Sequence, residues 1–160
     1  MNDCARILKA SDLMAAGSAA KLYTPDLLSL ATELAQYPVA GEWNAFAEVR
    51  SQTCGSSLSF GINTDAHGAI TEFGLAVTAC AVGQAAAAIF ARGARSLDRG
   101  HSDVALTQLS NWLGSSDAPP PDWSDIDLLS NARAYPGRHG AILLPWKAAQ
   151  QALCKVHHTR

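Results

Sequence analysis

No stretch of this 160-residue chain is dominated by charge of one sign: 12 Lys and Arg meet 14 Asp and Glu, mixed along the sequence, for a formal net charge of -2. That excludes the basic footprint of a nucleic-acid binder and the polybasic patch of a membrane-surface protein. Proteins and small ions remain as partners. Long hydrophobic runs are missing too. The longest, residues 75–91, is interrupted by Gly83 and Gln84 and is rich in alanine, too weakly apolar for a membrane span; it predicts a buried helix. Residues 1–20 lack the continuous apolar core of a secretory signal and predict a flexible N-terminal extension of a cytoplasmic protein. Nor do the four cysteines, Cys4, Cys54, Cys80 and Cys154, follow a regular spacing. With no sign of export, reduced thiols are expected instead of a disulfide framework.

What is present is a composition that is 48% hydrophobic, enough to close one core without metal or disulfide staples. A single domain is expected over 21–156. Thr24-Pro25-Asp26 reads as a helix start: a capping hydroxyl, proline at the first turn and an acid at the positive end of the dipole. The helical spacing of Leu27, Leu30, Ala31, Leu34 and Ala35 carries it to about residue 36, before Tyr37-Pro38. The period then becomes two. Ala47 and Val49 alternate with Phe46, Glu48 and Arg50, and Leu58, Phe60 and Ile62 repeat the pattern. The polar turn Thr64-Asp65-Ala66-His67-Gly68 leads to a third strand with Ile70, Phe73, Leu75 and Val77, in which Gly74 is expected to mark a bulge. From Cys80 the alanine-rich stretch predicts a helix to Gly93. A second helix is expected from a cap at Ser102 to Gly114, a short one around Ile126, Leu128 and Leu129, and a last one over 143–153 with Pro145 in its first turn. The fold class that follows is α+β, a three-stranded antiparallel meander with helices on one face.

The hairpin turn near Ala66 and His67 brings residues equidistant from it together at the open end of the sheet. Cys54 then lies opposite Ala79 and Cys80, so the two thiols should meet within about a dozen ångströms or less. Cys80 also opens the alanine-rich helix, where free N–H groups favour thiolate, and is expected to be the more reactive cysteine. A free cysteine is equally an ordinary small core residue, and spacing alone does not choose between the two.

The flanking residues do choose. Thr53-Cys54-Gly55 resembles the first cysteine loop of the NifU/IscU scaffolds, and Cys80-Ala81-Val82-Gly83-Gln84-Ala85 resembles their second. Pro136-Gly137-Arg138-His139-Gly140-Ala141-Ile142-Leu143-Leu144-Pro145-Trp146 resembles the third cysteine segment of the SufU-type branch, and Leu22-Tyr23 also agrees. The resemblance spans about residues 22–153 and implies a SufE/NifU-like fold.

That family holds a nascent iron-sulfur cluster or a zinc ion with three cysteines and an aspartate two positions after the first. Here the alignment sets Ser56 at the aspartate and Ala141 at the third cysteine. The resemblance therefore implies a degenerate ligand set of Cys54 and Cys80, with His139 as a substitute metal ligand, or a homodimer that shares one cluster through four cysteines. His139 reads otherwise as a loop histidine beside Arg138, and His157 and His158 as solvated terminal residues. The implied function is an iron-sulfur cluster assembly scaffold or carrier, not an enzyme in itself, whose partners are a cysteine desulfurase and cluster-accepting proteins. Two alternatives stay open: a persulfide acceptor relaying sulfur from the desulfurase, or a metal-free interaction module of the same fold.

Overall fold

The computed structural model describes residues 21–156. The expected N-terminal extension with Cys4, and His157 and His158, lie outside the described residues.

The helix expected after Thr24 starts as its capping signals dictate. Thr24 Oγ1 accepts the Leu27 N–H at 3.2 Å, Pro25 occupies the first turn, and α1 (Pro25–Leu30) tightens into a 3₁₀ turn over Ala31–Gln36. The period-two segments form β1 (Ala45–Arg50), β2 (Ser57–Thr64) and β3 (Ile70–Thr78), paired antiparallel in the order β1-β2-β3. Register aligns three apolar rows on one face: Ala45, Ile62 and Phe73; Ala47, Phe60 and Leu75; Val49, Leu58 and Val77.

Among the described residues, four helical segments follow the sheet: α2 (Ala81–Gly93), α3 (Arg99–Gly114), a 3₁₀ helix (Ile126–Ala134) and α4 (Pro136–Val156). α4 lies across β1 and β2 and packs on α2 and α3. The small side chains of α2 are almost all buried, which lets it approach its neighbours closely. Aromatic rings tie sheet to helices: Phe60 meets Phe90 at 5.4 Å between ring centres, Phe90 meets Trp146 at 5.4 Å, and Trp146 meets Trp123 at 5.3 Å, all edge-on. That geometry is the favoured one for ring pairs. On the opposite face of the sheet, Trp43 covers Gly61, where a Cβ would come within 2.3 Å of the indole.

Three expectations about local structure are corrected. Gly74 pairs regularly with Gly61; the irregularity falls between Asn63 and Thr64, whose partners Glu72 and Ile70 skip Thr71. Gly74 is small because the Pro38 carbonyl sits 2.2 Å from where its Cβ would be. α3 begins earlier than Ser102, with Asp98 Oδ1 accepting the His101 N–H at 2.8 Å, while Ser102 is buried inside the helix and its Oγ has no partner. Pro145 stands within α4, which starts at Pro136. A mid-helix proline costs about 3 kcal/mol and leaves the carbonyl four residues back, Ala141, without its N–H partner. Burial of Ala141, Ile142, Leu144, Trp146, Ala148 and Ala149 along the same helix outweighs that cost.

Candidate functional site

Three segments converge at the open end of the sheet, and each is positioned by a regular element. The loop 51–56 joins β1 to β2 beyond the last pair, Arg50 with Ser57. The Ser51 N–H donates to the Ser56 carbonyl at 2.8 Å and closes it, and Gly55 at φ 68 supplies the left-handed residue that the reversal needs. Cys54 is half-buried within this loop, between the buried side chains of Ser51 and Ser56. Its Sγ lies 3.0 Å from Ser56 Oγ, and Ser51 Oγ lies 3.1 Å from Thr53 Oγ1. Burial pushes the Cys54 thiol up. Hydrogen bonds from the Ser51 hydroxyl, from the Ser56 hydroxyl and backbone, and from the Thr53 hydroxyl oppose this and prevail, so its pKa lies below the ordinary thiol value. Hydroxyl donors stabilise the charged sulfur, which is the nucleophilic and metal-binding form.

Cys80 follows the end of β3. Ser57 also pairs with Thr78, so the Cys54 loop and the Ala79-Cys80 connection leave the same edge row of the sheet. Cys80 is the N-cap residue of α2, is half-buried, and makes no side-chain cap bond. Gln84 secures the backbone here, its N–H donating to the Cys80 carbonyl at 2.9 Å and its Nε2 to the Ala79 carbonyl at 3.1 Å.

The third segment is the first half of α4. A Cβ on Gly140 would fall 2.4 Å from Ser51 Oγ and 2.8 Å from Thr53 Oγ1, so only glycine lets the helix touch the Cys54 loop this closely. The next residue, Ala141, is fully buried, and its methyl lies 3.1 Å from the Cβ that Gly83 would carry, beside Ala79. Consecutive residues of one helix therefore contact the surroundings of both cysteines.

His139 is oriented elsewhere. Its Nε2 is 3.0 Å from the Arg133 carbonyl, and with Leu113, Ser115, Ser130 and Arg133 it lines a cavity of about 590 Å³. Among the described residues, no three or more His, Cys, Asp or Glu side chains cluster as a metal site. The structure thus brings Cys54, Cys80 and Ala141 into one neighbourhood but does not add His139 to it. With a hydroxyl at Ser56 and a methyl at Ala141, two thiols supply half of the usual tetrahedral set. Cys154 is half-buried near the end of α4.

The hydroxyl groups were missed in reading the sequence for ligands. Ser56 counts as a lost aspartate in that reading; in the structure it is a hydrogen-bond partner of the Cys54 sulfur. The legible signal is the hydroxyl-rich run Ser51-Gln52-Thr53-Cys54-Gly55-Ser56-Ser57. Hydroxyl groups gather around Cys54, while Cys80, expected to be the more reactive cysteine, stands as the N-cap residue of α2 with no side-chain cap bond.

This is an α+β fold in which a meander delivers one thiol from its first hairpin and another from the strand-to-helix junction. No family model matches the chain. No curated protein matches it either. Solved structures do. A NifU-like protein (N-terminal) from Brucella abortus superposes with a TM-score of 0.80 at 24% identity, covering 89% of this chain and 99% of that one. A protein from thermophilic Fervidobacterium islandicum AW-1, described as an iron-sulfur cluster assembly scaffold for the SUF system, superposes with a TM-score of 0.70 at 16% identity, covering 82% and 96%. The chain has the NifU/SufU-type fold, as its resemblance in sequence implied. Among the described residues, no helix is long and apolar enough to cross a membrane.

Proposed function

We propose that this chain is an iron-sulfur cluster assembly protein of the scaffold and carrier class, acting as a sulfur acceptor through Cys54. The hydroxyl cradle of Ser51, Thr53 and Ser56 around that thiol carries the reading. Hydroxyl donors placed this way favour the thiolate, the nucleophilic form of the sulfur, over the thiol. Its sulfur attacks the terminal sulfur of a persulfide on a cysteine desulfurase. The sulfur-sulfur bond on the donor breaks, the donor cysteine leaves as thiolate, and Cys54 retains the persulfide. The chain is a carrier, not an enzyme in itself. Its partners are the desulfurase and the proteins that receive clusters, in a reducing cytoplasm that keeps thiols free.

A second reading rests on the half-buried position of both unbridged thiols at one end of the sheet. Cys54 and Cys80 from each of two copies, as a homodimer, would present four thiolates to a nascent cluster, to iron or to zinc as cargo. His139 joins either arrangement only after leaving the Arg133 carbonyl.

The test runs under anaerobic conditions, with a cysteine desulfurase and sulfur-labelled cysteine in one arm and ferrous iron and sulfide in the other. Label that passes through wild type and not through Cys54→Ser is the expected result. Charge-transfer absorption abolished by Cys54→Ser and by Cys80→Ala would move the cluster reading ahead. Sulfur handling independent of Cys54, together with no thiolate-held iron, overturns both.

A further inference from the structure

We infer that Cys80 is the resolving thiol for sulfur carried on Cys54, releasing it as hydrosulfide and leaving the two cysteines joined in a disulfide. The inference rests on the reading of Cys54 as sulfur acceptor. Its motive is an electron count. A persulfide carries sulfur at the sulfane level, whereas cluster sulfide is two electrons more reduced, so a carrier of this kind needs a source of two electrons.

The fold places a candidate source beside the carrier. Ser57 pairs with Thr78 as the last pair of the two strands, so the loop that carries Cys54 and the Ala79-Cys80 connection both leave the sheet from this row. The Cys54 sulfur lies 3.0 Å from the Ser56 hydroxyl, at this same end. Gly140 and Ala141, consecutive in α4, bracket the pair: one meets Ser51 and Thr53, the other meets Gly83 beside Ala79. Both cysteines sit on connections, a hairpin loop and a helix cap, where the backbone can adjust to the Cα separation of about 4.4–6.8 Å that a disulfide requires. Neither is tied into a disulfide, and the Cys80 thiol is not engaged as a cap. Ala141 offers a methyl where a third thiol would compete, and Cys154 lies toward the far end of α4.

The step balances without any further oxidant. Cys80, as thiolate, attacks the inner sulfur of the persulfide, the one bonded to the Cys54 Cβ. The bond from that sulfur to the outer one breaks, and the outer sulfur leaves with the electron pair, taking a proton as hydrosulfide. The sulfane sulfur gains two electrons, and the two cysteine sulfurs are oxidised to one disulfide. A dithiol reductant then restores both thiols for the next cycle.

Wild type, Cys80→Ser and Cys54→Ser are each incubated anaerobically with a cysteine desulfurase and cysteine, with no added reductant. Free sulfide, intact mass and thiol-blocked peptide maps are followed, and far-UV circular dichroism with thermal unfolding checks that each variant folds; Cys80→Ala replaces a variant that does not. The expected result in wild type is sulfide release with formation of a Cys54–Cys80 peptide, and in Cys80→Ser one sulfur retained on Cys54 with sulfide release lost. Wild type that stores its persulfide on Cys54 with no linked peptide, or Cys80→Ser that releases sulfide at the wild-type rate, overturns the inference and leaves the acceptor reading standing. No sulfur on Cys54 even in Cys80→Ser, with no linked peptide in wild type, overturns the acceptor reading and this inference with it.

Discussion

Replacing Gly140 by alanine puts a methyl group where the structure has no room for one. At an open helical position the same change stabilises by roughly 0.5–1 kcal/mol, because alanine has less backbone freedom to lose. Gly137, earlier in α4, is such a position: nothing lies within 4 Å of its would-be Cβ. At Gly140 the methyl would fall 2.4 Å from Ser51 Oγ and 2.8 Å from Thr53 Oγ1. Both hydroxyls must swing away, which breaks their 3.1 Å contact. Ser51 is buried, so its displaced hydroxyl is left short of partners at a cost of about 1–3 kcal/mol. That loss exceeds the helical gain. The expected net effect is destabilisation by about 1 kcal/mol, seen as a melting temperature lower by about 3 °C for a chain of this size, against a small rise for Gly137→Ala. Because Ser51 is among the groups that hold the Cys54 pKa down, alkylation of Cys54 by iodoacetamide at neutral pH should also slow in Gly140→Ala and not in Gly137→Ala. Thermal unfolding and alkylation kinetics on the two variants decide the matter. Equal stabilisation of both, with Cys54 reactivity unchanged, would refute the contact between α4 and the Cys54 loop.

Ser56→Ala removes one hydroxyl that lowers the Cys54 pKa, so the midpoint of its alkylation profile should move upward; wild type stays reactive to lower pH and loses rate as pH falls through its own midpoint, and Ser56→Thr should keep the wild-type profile. An unmoved midpoint in Ser56→Ala would remove Ser56 from the cradle. Ser56→Asp combined with Ala141→Cys restores the ligand types of the scaffold pattern, and should retain zinc or ferrous iron through dialysis more firmly than wild type, as measured by elemental analysis; equal metal content would mean that position 141 does not face the two thiols. Gly61→Ala must displace Trp43, whose Nε1 donates to the Val39 carbonyl at 2.8 Å, and should cost about 1–3 kcal/mol with a shift in tryptophan emission. An unaltered melting temperature and spectrum would show that the indole does not cover the sheet there.

The period-two pattern of Leu58, Phe60 and Ile62 and the alanine run after Cys80 were sufficient to place three strands and α2, because alternation and helix propensity are local properties of the chain. They also sufficed to bring Cys54 and Cys80 to one end of the sheet, since a hairpin fixes which residues face each other once its turn is known. The start of α4 was not legible. Pro145 locally argues for a helix that begins near Leu143, and only burial of residues on both sides of it sustains a helix from Pro136. Ser102 looked like a cap, whereas Asp98 has that role and Ser102 is drawn into the core.

The candidate site divides in the same way. By itself the sequence determined which thiols are present, that Ser56 and Ala141 stand at two ligand positions of the pattern it resembles, and that the sheet would gather Cys54 and Cys80. Only the tertiary structure decided what those substitutions accomplish. Ser56 turns its hydroxyl to the Cys54 sulfur, Ala141 packs its methyl on α2 at Gly83, and His139 bonds to the Arg133 carbonyl away from both thiols. The reason is physical: a side chain's partners follow from the folded shape of its loop and, for Gly140 and Ala141, from how α4 packs on the sheet and on α2, neither of which residue spacing alone specifies.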